Sequence, residues 1–188
     1  MIFIGLNIMM EILSNILTSQ ECYELADRIK SYEQPVGDSL VPNSFSAYAL
    51  PETEQLLLRL TEYVSSIVGK ELYPTYSYCR IYYNGATMRP HTDRSSCEFS
   101  MSLSLSGDPW PLWFMLDDKP TPISLAQGQA VLYKGLEFEH WREAYTGDKC
   151  TQVFLHWVDA NGLHADWRYD RRPMIGTKET EKSYWGKS

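Results

Sequence analysis

From position 99 to 105 the chain alternates apolar residues with serine without a break: Phe-Ser-Met-Ser-Leu-Ser-Leu. Side chains along a strand point to opposite faces in turn, so this run predicts a half-buried strand with one apolar and one serine face. Further strand-like runs follow proline 74, at 76–83, 111–116, 123–125, 129–133, 138–142 and 151–158. Turn residues separate them, as in the Asn84-Gly85 turn after the first run. Many short strands with no helix between them indicate a sandwich or barrel, not a parallel sheet with crossover helices.

Two helices are expected before this region. Thr18-Ser-Gln-Glu21 has the form of a capping box, and Cys22, Leu25, Ala26 and Ile29 then recur at helical spacing. Pro51 suits the first position of a second helix, with Glu52 and Glu54 favourable against its N-terminal dipole. Leu57, Leu60, Val64, Ile67 and Val68 form its apolar face, and Gly69 is placed to terminate it. Between the helices, 34–48 contains Pro, Gly, Asn and several Ser and reads as loop.

At 188 residues, 44% hydrophobic and 13% aromatic, the chain suits one globular domain spanning 1–188. Its helical part runs from about 11 to 70 and its β core from about 74 to 159. A polar tail, 166–188, carries Arg168, Arg171, Arg172 and Lys178 and reads as surface wrapping or a partly disordered end. The net charge is −7 with no dense Lys/Arg tract, which disfavours nucleic acid as a partner. Cys22, Cys79, Cys97 and Cys150 have no Cys-x-x-Cys spacing and read as scattered reduced thiols. The first ten residues are apolar, lack a cationic start and soon meet Glu11. Neither a secretory signal nor a membrane span is expected there; the stretch reads as a first strand or an upstream extension of a start at Met9 or Met10. A cytoplasmic location is the default expectation.

Chemistry concentrates in His91-Thr92-Asp93 and in His140. On an extended chain the residue between His and Asp points away, so imidazole and carboxylate share one side. A second histidine completes a 2-His-1-carboxylate face, which leaves coordination positions open on non-haem Fe(II). Around these residues the sequence reads Arg80-Ile-Tyr-Tyr-Asn-Gly-Ala-Thr-Met-Arg-Pro-His91-Thr-Asp93, then Gly128-Gln-Ala-Val-Leu-Tyr133, His140 and Gly147-Asp148-Lys149. This pattern, over roughly 74–159, resembles the Fe(II)/2-oxoglutarate-dependent oxygenases, with the prolyl hydroxylase-like branch the best match.

That resemblance implies a mainly β fold, a double-stranded β-helix (jelly roll, cupin-like), with the two N-terminal helices bracing one sheet. It implies His91, Asp93 and His140 as ligands of Fe(II), with 2-oxoglutarate and O2 as co-substrates. The distal carboxylate of 2-oxoglutarate needs a cationic partner if buried. Lys149, nine residues after His140, resembles the family's anchor. Arg142 is its rival, since two residues past His140 it projects to the same side of the strand. Tyr83 matches a tyrosine that helps hold 2-oxoglutarate, with Tyr82 replacing it if the register slips by one. Thr151 shares parity with Lys149 and is a further candidate contact to the co-substrate. Met88 stands where prolyl hydroxylases often carry tyrosine, which weakens the case for peptidyl proline. Arg94, Trp110 and Trp113 are candidates for the substrate entrance, Tyr133 is read as core packing, and His156 as a packed or solvent-facing histidine rather than a ligand. The implied activity is hydroxylation of a C–H bond in a peptide, protein side chain or amino-acid-like substrate, with succinate and CO2 as co-products. A nucleic-acid demethylase of the same superfamily and a non-catalytic metal-binding or sensor module are the alternatives.

Overall fold

The computed structural model describes residues 10–34 and 41–176. Expectations for 1–9, 35–40 and 177–188, Lys178 among them, lie outside the described residues. In chain order the elements are β1 (Met10–Leu13), α1 (Ser19–Ser31), β2 (Ser44–Tyr48), α2 (Pro51–Val68), β3 (Leu72–Tyr83) and β4 (Met88–His91). They continue with β5 (Phe99–Ser106), β6 (Leu112–Leu116), β7 (Lys119–Ile123), β8 (Ala130–Tyr133), β9 (His140–Arg142) and β10 (Lys149–Asp159). Short 3-10 segments cover Ser95–Cys97 and Ala165–Arg171. The strands make two antiparallel sheets, a larger one ordered β1-β8-β5-β10-β3-β2 and a smaller one ordered β4-β9-β6-β7.

Both helices form where capping chemistry places them. The Thr18 hydroxyl accepts from the Glu21 N–H at 3.2 Å, and the Glu21 carboxylate accepts from the Thr18 N–H at 2.8 Å, closing the box. Pro51 opens α2, and Gly69, at φ +72°, ends it by donating to the Ser65 carbonyl at 2.9 Å. Their apolar faces cover one side of the larger sheet, where Leu57 and Val64 join Ile81, Met101, Leu103, Val153, Leu155 and Trp157 in the main core. Each such side chain contributes roughly 1.5–3 kcal/mol on burial. Glu54, fully buried on α2, ties the C-terminal segment down: it accepts from the Ser77 N–H at 2.8 Å, Arg172 at 2.9 Å and the Gly176 N–H at 2.6 Å. Among the described residues no helix is long and apolar enough to cross a membrane.

Three local expectations change. Residues Ser44–Tyr48 are not loop but the edge strand β2, paired from Ser44↔Tyr82 to Tyr48↔Tyr78; this strand exists through its long-range partner, not its own propensity. The strand expected at 123–125 lies earlier, at Lys119–Ile123. Asp117 and Asp118, at φ +48° and +59°, form the two-residue turn that pairs β7 with β6. Pro120 and Pro122 are tolerated because β7 is an edge strand. Finally, β5 is covered on both faces. Its apolar residues meet the helices, while Ser100 and Ser102 are fully buried on the other side.

Candidate metal centre and pocket

β4 and β9 bring the two histidines together, because His91, the last residue of β4, pairs directly with His140, the first of β9. Their rings lie 4.4 Å apart between centroids. Asp93 follows two residues on, its N–H donating to the Gly135 carbonyl at 2.9 Å. Asp93 Oδ1 lies 3.9 Å from His91 Nε2 and 3.7 Å from His140 Nε2. One donor atom from each of the three falls within 4.8 Å of the others, so a single ion with bonds of about 2.0–2.2 Å fits between them after small side-chain adjustments.

The imidazoles are oriented for such an ion. His91 Nδ1 contacts the Arg89 carbonyl at 2.9 Å, and His140 Nδ1 contacts the Phe138 carbonyl at 3.0 Å. A carbonyl only accepts, so each Nδ1 carries the proton and each Nε2 presents a lone pair toward Asp93. His140 is 3% exposed, with Phe114 and Tyr133 packed on its ring at 5.8 and 5.1 Å. Burial pushes its pKa down against the opposing pull of Asp93, favouring the neutral form that binds metals. The Asp93 carboxylate also receives the Ser100 hydroxyl, at 2.7 Å on Oδ2.

Gly135 closes this arrangement from behind. A Cβ there would collide with the Asp93 carboxylate, the Cys97 carbonyl and the Ser100 hydroxyl. Gly135→Ala is therefore expected to swing the carboxylate away and weaken Mn(II) binding about 10- to 100-fold, as measured by calorimetric titration. Wild-type affinity in that variant would mean Asp93 does not hold the ion.

The three residues open onto a cavity of about 300 Å³ between the sheets, lined also by Tyr76, Tyr78, Arg80 and Tyr82 of β3, by Met88 and Arg94, and by Phe154 and His156 of β10. Only one parity of β3 and β10 reaches it, which separates the candidate co-substrate residues. Arg142, 2% exposed, lies on the same face of β9 as His140, behind the Tyr82 wall of the cavity, and donates to the Trp110 carbonyl at 2.7 Å and to Gln152 Oε1 at 2.5 Å. Among the described residues, its Nε and the Tyr82 hydroxyl are buried without a well-aligned hydrogen-bond partner, the two groups lying next to each other. Lys149 does not join them. It pairs across the strands with Tyr83, its ammonium 5.8 Å from that ring and 3.8 Å from the Glu33 carboxylate. Thr151 pairs with Ile81 on the same helix-facing parity. Lys149, Tyr83 and Thr151 therefore lie on the opposite parity from the cavity lining. Strand alternation places Tyr82, Cys150 and Gln152 inward instead.

The remaining candidates divide between pocket and core. His156 faces the pocket, buried beneath Tyr76 at 4.5 Å, with its pKa pushed down to about 4 mainly by burial. Tyr133 packs in the core with Phe114 and Val131, as expected, and also lines the pocket, touching His140. Arg94 lines the mouth, its guanidinium 4.6 Å above the Tyr76 ring and paired with Asp170 at 2.9 Å. Trp110 lies deeper, beside Tyr82 and Arg142. Trp113 is not at the entrance: it alternates against inward-facing Leu112 and Phe114 and stacks on Trp141. The sequence did not single out Ser100 or the inward-facing Tyr76, Tyr78 and Arg80, and Tyr82 stood there only as a register alternative to Tyr83. The signal for this row was present as polar and aromatic residues at every second position of β3.

No family model matches the sequence, and no curated protein does. Solved structures do. A 2OG-Fe(II) oxygenase family oxidoreductase from Burkholderia pseudomallei superposes with a TM-score of 0.66 at 16% identity, covering 82% of this chain and 86% of that one. The chain has the fold of the 2-oxoglutarate/Fe(II) oxygenases. A Pseudomonas putida prolyl-4-hydroxylase matches with a TM-score of 0.59 at 16% identity over 80% of this chain and 92% of the other. HygX from Streptomyces hygroscopicus, solved with nickel, 2-oxoglutarate and hygromycin B, matches with a TM-score of 0.67 at 11% identity over 81% and 83%.

Proposed function

We propose that this chain is an Fe(II)- and 2-oxoglutarate-dependent oxygenase that hydroxylates a C–H bond of a peptide, protein side chain or amino-acid-like substrate. The observation that carries the reading is the convergence of His91, Asp93 and His140 at the wall of a cavity. Two imidazoles and one carboxylate suit Fe(II) and leave coordination positions free. Bound Fe(II) would supply the oxidising chemistry, in which 2-oxoglutarate and O2 would yield succinate and CO2, one oxygen atom entering succinate and the other the substrate C–H bond. In this reading the whole chain, 1–188, is one oxygenase domain, and its two sheets are the halves of a double-stranded β-helix. Its four cysteines are free and buried, which suits the cytoplasmic location expected from the sequence.

The protein's own groups then divide the work. His91, Asp93 and His140 hold the ion. Arg142 and Tyr82 take the distal carboxylate of 2-oxoglutarate. Their orphaned donors fit that role, since a buried N–H and O–H without partners are costly and a carboxylate satisfies both. Arg142 lies two residues past His140, about 7 Å along a strand, which matches a short dicarboxylate held at both ends. The tyrosine row and Phe154 exclude water beside it, and Arg94 faces the prime substrate. The net charge of −7 favours a compact substrate over nucleic acid, whose binding draws on counterion release from phosphates.

The test is to incubate the chain with Fe(II) and 2-oxoglutarate and to measure succinate with three pools: proline-rich peptides, free amino acids and methylated oligonucleotides. One of the first two is expected to stimulate release. No succinate under any condition would leave a non-catalytic metal-binding module, and stimulation by oligonucleotides alone would replace the substrate class.

A further inference from the structure

We propose that Ser100 and His156 are positioning residues that hold Asp93 with a single oxygen turned to the metal, through the hydrogen-bonded chain His156–Ser100–Asp93. This rests on the metal-binding reading above. Ser100 Oγ lies 2.7 Å from Asp93 Oδ2 and 3.0 Å from His156 Nδ1. A hydroxyl has one proton, and an ionised carboxylate only accepts, so that proton points at Asp93. The Ser100 oxygen must then accept from His156, which puts a proton on His156 Nδ1. The geometry thereby fixes both the tautomer of His156 and the direction of the serine hydroxyl.

Burial makes the chain consequential. Ser100 is fully buried and His156 only 6% exposed, so loss of either leaves a polar atom with no easy replacement from solvent. Tyr76 lies 4.5 Å from the His156 ring at an interplanar angle of 32°, restricting its rotation. Gly135, with no side chain, lets its backbone pack against the carboxylate from the other side. With Oδ2 engaged, Oδ1 is the atom that sits 3.9 and 3.7 Å from the two Nε2 atoms. A carboxylate held in this way binds through one oxygen and leaves adjacent positions open.

Asp93, Cys97 and His156 also lie close enough to be read as a second metal set. Their donors are already engaged, however. The Cys97 thiol contacts the Tyr76 hydroxyl at 3.2 Å, and His156 Nδ1 serves Ser100. An ion there would displace the contact between Cys97 and Tyr76 and compete with the two-histidine centre for Asp93, so the cluster acts as support for one centre.

The experiment titrates Mn(II) into the full chain by calorimetry and Co(II) by its visible spectrum. Wild type is expected to bind one ion per chain. Ser100→Ala and His156→Phe should each weaken Mn(II) about 10- to 100-fold, the usual effect of losing a group that orients a ligand, and should shift the Co(II) bands. Ser100→Thr keeps a hydroxyl and His156→Asn keeps an N–H donor at the position of Nδ1, and both should recover most of the affinity. If Ser100→Ala does not fold, judged by thermal melting, the contrast between His156→Asn and His156→Phe decides. Affinities within twofold of wild type for Ser100→Ala and His156→Phe would overturn the positioning role and leave the oxygenase reading standing. So would a second Co(II) equivalent that disappears in Cys97→Ser. Wild type that takes up no ion would sink the oxygenase reading itself, and this inference with it.

Discussion

His140→Ala is expected to abolish 2-oxoglutarate turnover and to weaken Mn(II) binding by more than about 100-fold, beyond the range seen when only a supporting residue is lost. The expectation follows from how few donors there are: three side chains supply the set, and no other histidine stands on β4 or β9. His140 is also the most buried of them, its side chain 4% exposed against 41% for His91. Water has less room to take its place. Truncation leaves a cavity bounded by Phe114 and Tyr133, costing a few kcal/mol of stability, so His140→Gln is the companion variant that preserves volume. His91→Ala and Asp93→Ala should behave alike. Calorimetric titration together with succinate measurement checks all three. Retention of wild-type metal content and turnover by any one of them would exclude it from the centre.

The second large effect separates the two cationic candidates. Arg142→Ala should raise the 2-oxoglutarate requirement by roughly 30- to several-thousand-fold, because removing one partner of a desolvated charge pair costs about 2–5 kcal/mol. Lys149→Ala should leave it within about twofold. Lys149 is 31% exposed and lies 3.8 Å from Glu33, just beyond α1, an arrangement worth little in water. Arg142 also bridges the Trp110 carbonyl and Gln152, so thermal melting must show that its variant is folded. Arg142→Gln, with a smaller loss of volume, gives a second measurement in the same direction. A larger defect in Lys149→Ala than in either Arg142 variant would restore the lysine as the anchor and remove Arg142 and Tyr82 from that role.

Some of this protein is written locally. The capping box at Thr18–Glu21, Pro51 at the head of α2 and Gly69 at its end depend on neighbours within one turn, and these signals place both helices. The alternation of β5 and the aromatic, β-branched character of β3 and β10 are equally local. The triad is legible because His-x-Asp places two ligands on one side of an extended chain, and the separation between His91 and His140 suits paired strands. What stayed hidden depends on pairing between distant segments. Parity in β10 is set by its register with β3, Lys149↔Tyr83 and Cys150↔Tyr82, and a shift of one residue exchanges the faces. Counting from His140 could not fix it. Likewise the serines of β5 read as a solvent face until the smaller sheet covers them. Only then does Ser100 become a buried donor with Asp93 and His156 as its partners. The sequence by itself determined both helices, the longer strands and the metal-binding residue types, because those follow from short-range periodicity and chemistry, whereas β2 exists only through its pairing with β3. The tertiary structure decided which arginine, tyrosine and serine face the pocket, because orientation across a sheet belongs to the register between strands.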